Sequence, residues 1–96
     1  MGYRLTRAAE RDIGAIAEAG IETFGVSQAR DYHNALFGVF ELLSSNPRMG
    51  RERTELAPPV RVHPFRSHII LYRLEGDDVL IIRVRHAHED WTSDPT

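Results

Sequence analysis

Apolar and polar positions recur along this chain with two different periods. From Ala9 to Phe24 the apolar side chains follow the 3.6-residue spacing of an amphipathic helix, with charged residues between them. A second stripe of the same kind runs from Ala29 to Leu43. From Val60 onwards the period becomes two, which is typical of strands. The pattern therefore predicts two helices followed by strands.

Residues that begin and end helices set the predicted bounds. Thr6 is a good N-cap for a helix over residues 7–24, and Gly25 suits the position just after its end. Ser27 is the predicted N-cap of the second helix, which stops before Pro47 because the residue preceding a proline avoids helical dihedral angles. A link of about three residues makes the two helices fold back as an antiparallel hairpin.

Four segments are predicted as strands, namely residues 2–6, 60–65, 68–74 and 79–86. Pro64 indicates a sheet edge or a bulge, and the apolar runs of the last two strands indicate burial on both faces. Residues 47–59 have the composition of a loop, and the polar tail from about residue 90 is expected to fray. We expect a single domain over residues 1–96, of α+β class, with the helical hairpin packed on a small, mainly antiparallel four-stranded sheet.

Composition excludes several kinds of chemistry. All 12 basic residues among the 96 are arginines, and there is no lysine and no cysteine. Without cysteine there is no disulfide framework, thiolate zinc site or cysteine nucleophile. Without lysine there is no Schiff base and no Walker A loop. No apolar run approaches the ~20 residues of a membrane span, and the first residues lack the apolar core of a signal peptide, so a cytoplasmic protein is expected.

The net charge of −2 conceals a basic middle of the chain. Residues 47–75 hold six arginines against three acidic residues, whereas acidic residues are in excess on either side. A local excess of this kind bears on partners and not on the fold.

Seven short motifs follow one another across nearly the whole chain. They are Tyr3-x-Leu5-Thr6, Ala9 with Asp12-Ile13 and Ile16, Phe24-Gly25-x-x-Gln28-Ala29-x-x-Tyr32, Asn46-Pro47-x-x-Gly50-Arg51, Val60-Arg61, Ser67-His68-x-x-x-Tyr72-Arg73 and Ile82-Arg83-Val84-x-His86. In this order and spacing the chain resembles the ParE branch of the RelE/ParE superfamily of bacterial type II toxins. The resemblance implies a toxin that inhibits DNA gyrase, and so replication, and that a ParD-like ribbon-helix-helix antitoxin neutralises.

The resemblance implies a protein that acts by binding. We accordingly expect no catalytic residue, no cofactor, no metal, no membrane partner and no sequence-specific DNA binding by the toxin alone. The target-binding candidates lie in the basic middle and the C-terminal part, because arginine and tryptophan dominate binding hot spots. They are Arg61, Arg66, Arg83, Arg85, His86 and Trp91.

Three apolar residues lie off the predicted core stripes, and these are the antitoxin-binding candidates. They are Ile21, Phe37 and Leu42. The alternative is that these side chains lie under the loop or the sheet.

Other functions stay open at this point. The RelE branch cuts mRNA with a cluster of lysines and arginines and a C-terminal tyrosine. Here lysine is absent, the position of a catalytic arginine falls on Ile70, and no tyrosine follows Tyr72. A ribonuclease would have to use His86 or His88 as acid or base, with Arg61, Arg66 and Arg83 around the phosphate. A third possibility is an inactive homologue that only binds the antitoxin.

The histidines suggest a metal site as one alternative and a structural role as another. His86 and His88 are two positions apart and share a strand face, so with Glu89 and Asp90 they form a metal-site alternative. His68 begins a strand and is expected to fix its hairpin through a backbone hydrogen bond.

Overall fold

A short strand leads into two helices joined by one glycine. The computed structural model describes residues 2–56 and 58–93, with β1 at Tyr3–Leu5, α1 at Arg7–Phe24 and α2 at Val26–Ser45. The Thr6 hydroxyl accepts a hydrogen bond from the Ala9 amide at 3.0 Å, and Gly25 follows α1 with φ 89°. The bounds predicted for the first helix are confirmed.

The prediction that Ser27 caps the second helix is wrong. Helix α2 begins at Val26, and Gly25 occupies the N-cap position without a side-chain hydrogen bond. Gly25 therefore serves the end of one helix and the start of the next, and the link is one residue long. Its positive φ of 89° explains the tight turn, because only glycine adopts this conformation without strain.

In the described part of the chain, five strands form one mixed sheet. They are β1, β2 at Arg51–Arg53, β3 at Val60–Phe65, β4 at His68–Glu75 and β5 at Asp78–His86, and they lie in the order β1-β5-β4-β3-β2. The β1–β5 pair is parallel and the other pairs are antiparallel. Opposite the Leu71–Tyr72 step of β4 the register shifts, because Leu71 pairs with Arg83 and Tyr72 pairs with Ile81. The α+β class and the mainly antiparallel sheet are confirmed.

Strand β2 lies inside the segment predicted as a loop, and this corrects the expected four strands to five. Its sequence Arg-Glu-Arg has no apolar alternation, so its pairing with Val60–Val62 rests on backbone hydrogen bonds at the sheet edge. Pro64 lies beyond this paired stretch, where β3 has β4 on one side only. The edge position expected for this proline is confirmed.

The sheet is covered by apolar side chains on both faces, as predicted. On one face Ile70, Tyr72 and Ile81 pack with Leu36 and Phe40 of α2. On the other face lies a smaller cluster of Val60, Ile69, Leu71 and Ile82, and this cluster contacts Leu56 and Trp91. We call these the helix face and the outer face of the sheet.

The end of the chain continues onto the outer face. A short 3₁₀ helix follows β5 at Trp91–Ser93, and Trp91 is partly buried against the outer-face cluster. The predicted fraying of the tail thus concerns a segment of which residues 94–96 lie outside the described part. No helix within residues 2–56 and 58–93 is long and apolar enough to cross a membrane.

Candidate binding surfaces

Arg83, a predicted target-binding residue, forms an ion pair inside the protein. Its Nε and Nη2 donate to the two carboxylate oxygens of Asp12 on α1 at 2.7 and 2.8 Å. The Val84 amide donates to the same carboxylate at 3.0 Å. The two charged side chains are only 20% and 15% exposed. A contact this enclosed holds α1 against β5 and offsets the charge of Arg83.

Arg85 and His86 both donate hydrogen bonds to the carboxylate of Glu89. Arg85 donates to Oε2 of Glu89 from Nε at 3.1 Å and from Nη2 at 2.9 Å. The His86 amide donates to the other oxygen of Glu89 at 2.9 Å. These two contacts lower the pKa of the Glu89 carboxyl, the His86 amide having the larger effect. The segment after β5 is therefore fastened back onto the end of the strand.

Arg61 holds the backbone of the loop between α2 and β2. Its Nη1 donates to the carbonyls of Gly50 at 2.8 Å and Arg48 at 3.3 Å, and its Nη2 lies 3.7 Å from a carboxylate oxygen of Glu52. The Nε of Arg61 is buried and has no hydrogen-bond partner in the described part of the protein. The Arg61 side chain is accordingly only 13% exposed to solvent.

The Tyr72 hydroxyl fastens the same loop from the helix face. It accepts a hydrogen bond from the Gly50 amide at 2.7 Å and donates to the Pro47 carbonyl at 2.8 Å. A Cβ atom on residue 50 would lie 2.5 Å from this hydroxyl, so the close approach requires glycine. The sequence motif Asn46-Pro47-x-x-Gly50 thus owes its spacing to a buried tyrosine on a distant strand.

A cluster of rings joins α2 to the β3–β4 turn. The Tyr32 hydroxyl and Nδ1 of His68 form a hydrogen bond of 2.5 Å, and the His68 ring lies 5.4 Å from that of His86, its partner across the strands. Burial is the main cause that lowers the pKa of His68, and His86 adds to it against an opposite effect of Glu89. The backbone hydrogen bond expected of His68 is corrected: its partner is a side chain on α2.

Arg66 occupies the β3–β4 turn with φ 54°, a left-handed conformation that is costly for a residue with a Cβ. Its guanidinium carbon lies 5.2 Å from the ring centres of both Tyr32 and Phe65. The side chain is exposed, and these cation–π contacts set its direction along the protein surface.

The tip of the helical hairpin and this turn enclose an apolar groove of about 830 Å³. We call it the helical groove. Its lining is formed by side chains of both helices, of the β3–β4 turn and of the last strand. It includes Ile16, Gly20, Phe24, Ala29, Leu36 and His68.

Sequence reasoning placed Phe24 in the core stripe, and that placement is wrong. Its side chain is 67% exposed at the edge of the helical groove, because the burial of the apolar stripe is confined to the first part of α1, where Ala9 and Ile13 lie in the core. Val26 beside it is exposed as well. A helical stripe shows which face is apolar, but not how far the covering sheet reaches.

The three antitoxin-binding candidates lie in different environments. Ile21 and Leu42 are 46% and 47% exposed. Phe37 is partly buried, with its ring centre 5.1 Å from that of Phe40 in the core. Leu42 follows Val26 by 16 residues of α2, or about 24 Å of helix, so it lies far from the hairpin tip that carries Ile21.

The six target-binding candidates do not converge on one patch. Arg66 and His86 line the helical groove. Trp91 lies on the outer face, with the guanidinium carbon of Arg53 5.1 Å from its ring centre. Arg61 is directly opposite Tyr72 in the register of β3 and β4, which places it on the helix face.

The metal-site alternative rests on two neighbouring histidines. His86 and His88 have ring centres 5.2 Å apart, and the His88 amide donates to Nδ1 of His86 at 3.2 Å. Across residues 2–56 and 58–93, no three histidine, aspartate or glutamate side chains are grouped so that they could hold a metal ion.

Comparison with known proteins identifies the family. Residues 3–91 match the family described as ParE toxin of type II toxin-antitoxin system, parDE. Toxin ParE3 of Caulobacter vibrioides is 37% identical over 79 residues, which cover 82% of this chain and 79% of the relative. Toxin ParE1 of Mycobacterium tuberculosis is 32% identical over 89 residues, covering 92% and 91%. The chain therefore belongs to the ParE toxin family of type II toxin–antitoxin systems.

A solved structure supports the same architecture. A chain of the chromosomal ParDE TA system from P. aeruginosa superposes with a TM-score of 0.77 at 22% identity, over 90% of this chain and 95% of that one. The helical hairpin on a five-stranded sheet is thus the ParE fold. Membership of a toxin–antitoxin family implies that an antitoxin is a partner of this protein.

Proposed function

We propose that this ParE-family toxin inhibits DNA gyrase and thereby replication, and that a ParD-like antitoxin neutralises it in the cytoplasm. It acts by binding its target and catalyses no reaction. Family membership supports the toxin role, and the resemblance of the seven motifs to the ParE branch supports the choice of target and antitoxin.

The observation that favours binding over RNA cleavage is the position of Ile70. This residue falls where the RelE branch has a catalytic arginine, and it is fully buried in the helix-face core. Cleavage of RNA needs cations and proton donors aimed at a phosphate. Arg61 and Arg83 instead bond a loop backbone and Asp12. These contacts support the proposal that the protein acts by binding and not by cleaving RNA.

We place the antitoxin on the helical hairpin. An apolar groove beside exposed Phe24 and Ile21 suits an amphipathic segment that lays its apolar face between the two helices. A segment that also reaches Leu42 must run about 24 Å along α2, which needs about 16 residues in helical form or about seven when extended. Phe37 lies on α2 between these points and is partly buried against Phe40, so only the exposed part of its ring would contact the segment.

We propose that gyrase contacts the last strand and the segment after it. This stretch carries three of the candidates, Arg85, His86 and Trp91. Arg66 at the adjoining turn and the enclosed Arg61 and Arg83 complete the set of candidates. Substitution of Arg83 also breaks its ion pair with Asp12, so loss of toxicity in such a variant would report on folding as well as on binding.

The function is tested by inducing the chain without its antitoxin in bacterial cells. We expect loss of viable cells, inhibition of supercoiling by purified gyrase, and intact mRNA. Ribosome-dependent mRNA cuts would indicate the ribonuclease instead. Normal growth with a correctly folded chain would indicate an inactive homologue.

The two proposed surfaces overlap at Arg66 and His86, which line the helical groove, so two single variants test the parts that do not overlap. Trp91→Ala is expected to weaken growth arrest and to leave antitoxin binding intact. Phe24→Ala is expected to weaken co-purification with the antitoxin and to leave growth arrest intact. If both variants changed both properties equally, the assignment of two separate surfaces would be wrong.

A further inference from the structure

The loop between α2 and β2 and the first residue of β2 carry three exposed side chains. They belong to Arg48, Met49 and Arg51, and we call these three residues the basic corner. The two glutamates of the surrounding segment, Glu52 and Glu55, form ion pairs with Arg61 and Arg53. The segment therefore keeps two positive charges in excess, on the side chains of Arg48 and Arg51.

The backbone under the basic corner is held in place from inside the protein. The Tyr72 hydroxyl bonds the Gly50 amide and the Pro47 carbonyl, and Arg61 bonds the carbonyls of Arg48 and Gly50. These are buried polar groups committed to a loop that adds little to the apolar core. A loop fixed in advance loses less conformational entropy when a partner binds.

Strand alternation joins the basic corner to the tryptophan on the outer face. Side chains two positions apart on a strand share a face, so Arg51 lies on the same face as Arg53. Arg53 in turn stacks over Trp91 at 5.1 Å. The outer face thus carries a line of arginines that begins beside Trp91 and ends at the corner of the sheet.

We propose that the basic corner is part of the target-binding surface and receives an acidic surface patch of a protein partner. This inference rests on the proposed toxin function. The guanidinium groups of Arg48 and Arg51 form no hydrogen bond or short ion pair with the described residues, although Arg51 acts on the charge of Glu55 from a distance. These groups would pair with carboxylates of the partner, and the exposed thioether of Met49 and the ring of Trp91 would make apolar contacts. Arginine, methionine and tryptophan are enriched at protein interfaces.

The test reverses the two charges and compares them with a matched pair elsewhere. Arg48→Glu/Arg51→Glu is expected to abolish growth arrest and to raise at least tenfold the toxin concentration that half-inhibits supercoiling by purified gyrase. Arg7→Glu/Arg11→Glu makes the same change of charge on the exposed first turns of α1 and is expected to change that concentration less than twofold. Both variants should still co-purify with the antitoxin, which shows that they fold.

The milder Arg48→Gln/Arg51→Gln variant serves if the charge-reversed variant does not fold. It should raise several-fold the toxin concentration that half-inhibits supercoiling by gyrase. Arrest that survives in the corner variants, or is lost equally in both reversed pairs, overturns the proposal while leaving the toxin function intact. If the wild-type chain does not arrest growth, the proposed function fails and this inference fails with it. Binding of the wild type to a 30-bp DNA duplex that the corner variant loses would show a nucleic-acid site and overturn the protein partner.

Discussion

Arg83 and Asp12 form a two-pronged ion pair that joins the last strand of the sheet to the first helix. The two residues are 71 positions apart, and both oxygens of the carboxylate are engaged at 2.7 and 2.8 Å. The Val84 amide uses one of them as well. This arginine, which the sequence presents as a free cation for a partner, is therefore a structural contact.

Replacement of Asp12 is expected to destabilise the fold strongly. Asp12→Ala leaves the Arg83 guanidinium enclosed without its carboxylate and the Val84 amide without its acceptor. We expect a loss of about 3 kcal/mol in the free energy of unfolding, the lower end of the range for breaking a buried pair. Urea denaturation measures it, with Glu10→Ala on the exposed side of α1 as the control. Equal small losses in both variants would contradict the structural role of the pair.

Tyr72→Phe is expected to loosen the loop between α2 and β2 while keeping the ring in the core. The Gly50 amide and the Pro47 carbonyl then lose their partner, which costs about 1–3 kcal/mol when such groups stay buried. Tyr3→Phe is the matched control, because the Tyr3 hydroxyl forms no hydrogen bond with a described residue. Thermal unfolding compares the two, and a Tyr72 variant as stable as the Tyr3 variant would contradict the prediction.

Two glycine-to-alanine changes are expected to have opposite signs. Gly50→Ala places a Cβ atom 2.5 Å from the Tyr72 hydroxyl and should destabilise the protein by about 1–3 kcal/mol, as overpacking does. Gly14→Ala on exposed α1 meets nothing within 4 Å and should stabilise it by about 1 kcal/mol through helix propensity. Chemical denaturation of both variants checks the pair, and the same sign for both would refute it.

Acidification between pH 7.5 and 5.5 is expected to weaken the fold. Burial lowers the pKa of His68 and of His63 below the ordinary 6.5, so the unfolded chain binds protons first as the pH falls. The free energy of unfolding therefore falls as the pH drops through 6.5, and it levels off below the folded-state pKa. The groups around His68 are Tyr32, Arg66, Ser67, His86 and Glu89.

Denaturant unfolding across this pH range measures the effect, and His68→Gln provides the comparison. The variant should show a shallower decline, because Gln does not titrate. A free energy of unfolding that rises on acidification would contradict the prediction. If the decline with pH were as steep in the variant as in the wild type, His68 would not be the source of the decline.

The helical half of the fold was predictable because local signals there agree. The stripe from Ala9, the cap at Thr6 and the stop at Gly25 each mark the same helix, and its bounds are confirmed. The start of α2 was misplaced at Ser27, because a good capping residue was favoured over a glycine that serves both helices. Strand β2 was missed since backbone pairing at an edge leaves no trace in an Arg-Glu-Arg sequence.

The candidate surfaces were less predictable, for a different reason. Composition identified a basic middle of the chain. Whether one of its arginines can bind a partner depends on whether carboxylates or carbonyls elsewhere in the fold already bond its guanidinium group. Arg61 finds its partners in the preceding loop and Arg83 finds Asp12, whereas Arg48 and Arg51 have no such partner in the described part of the protein. The sequence analysis chose Arg61 and Arg83 because arginine is frequent in binding hot spots, and residue type alone does not show which arginines have a partner inside the protein.

The parallel pairing of β1 with β5 makes folding depend on late synthesis. Tyr3 and Leu5 find their sheet partners at Val79 and Ile81, so the ribosome must deliver nearly the whole described chain before the first strand can be placed. Closing a loop of this length is entropically costly until β4 and β5 have paired. A nascent chain that ends before β5 therefore leaves both β1 and β4 without this partner strand, and the complete sheet forms only after translation has passed β5.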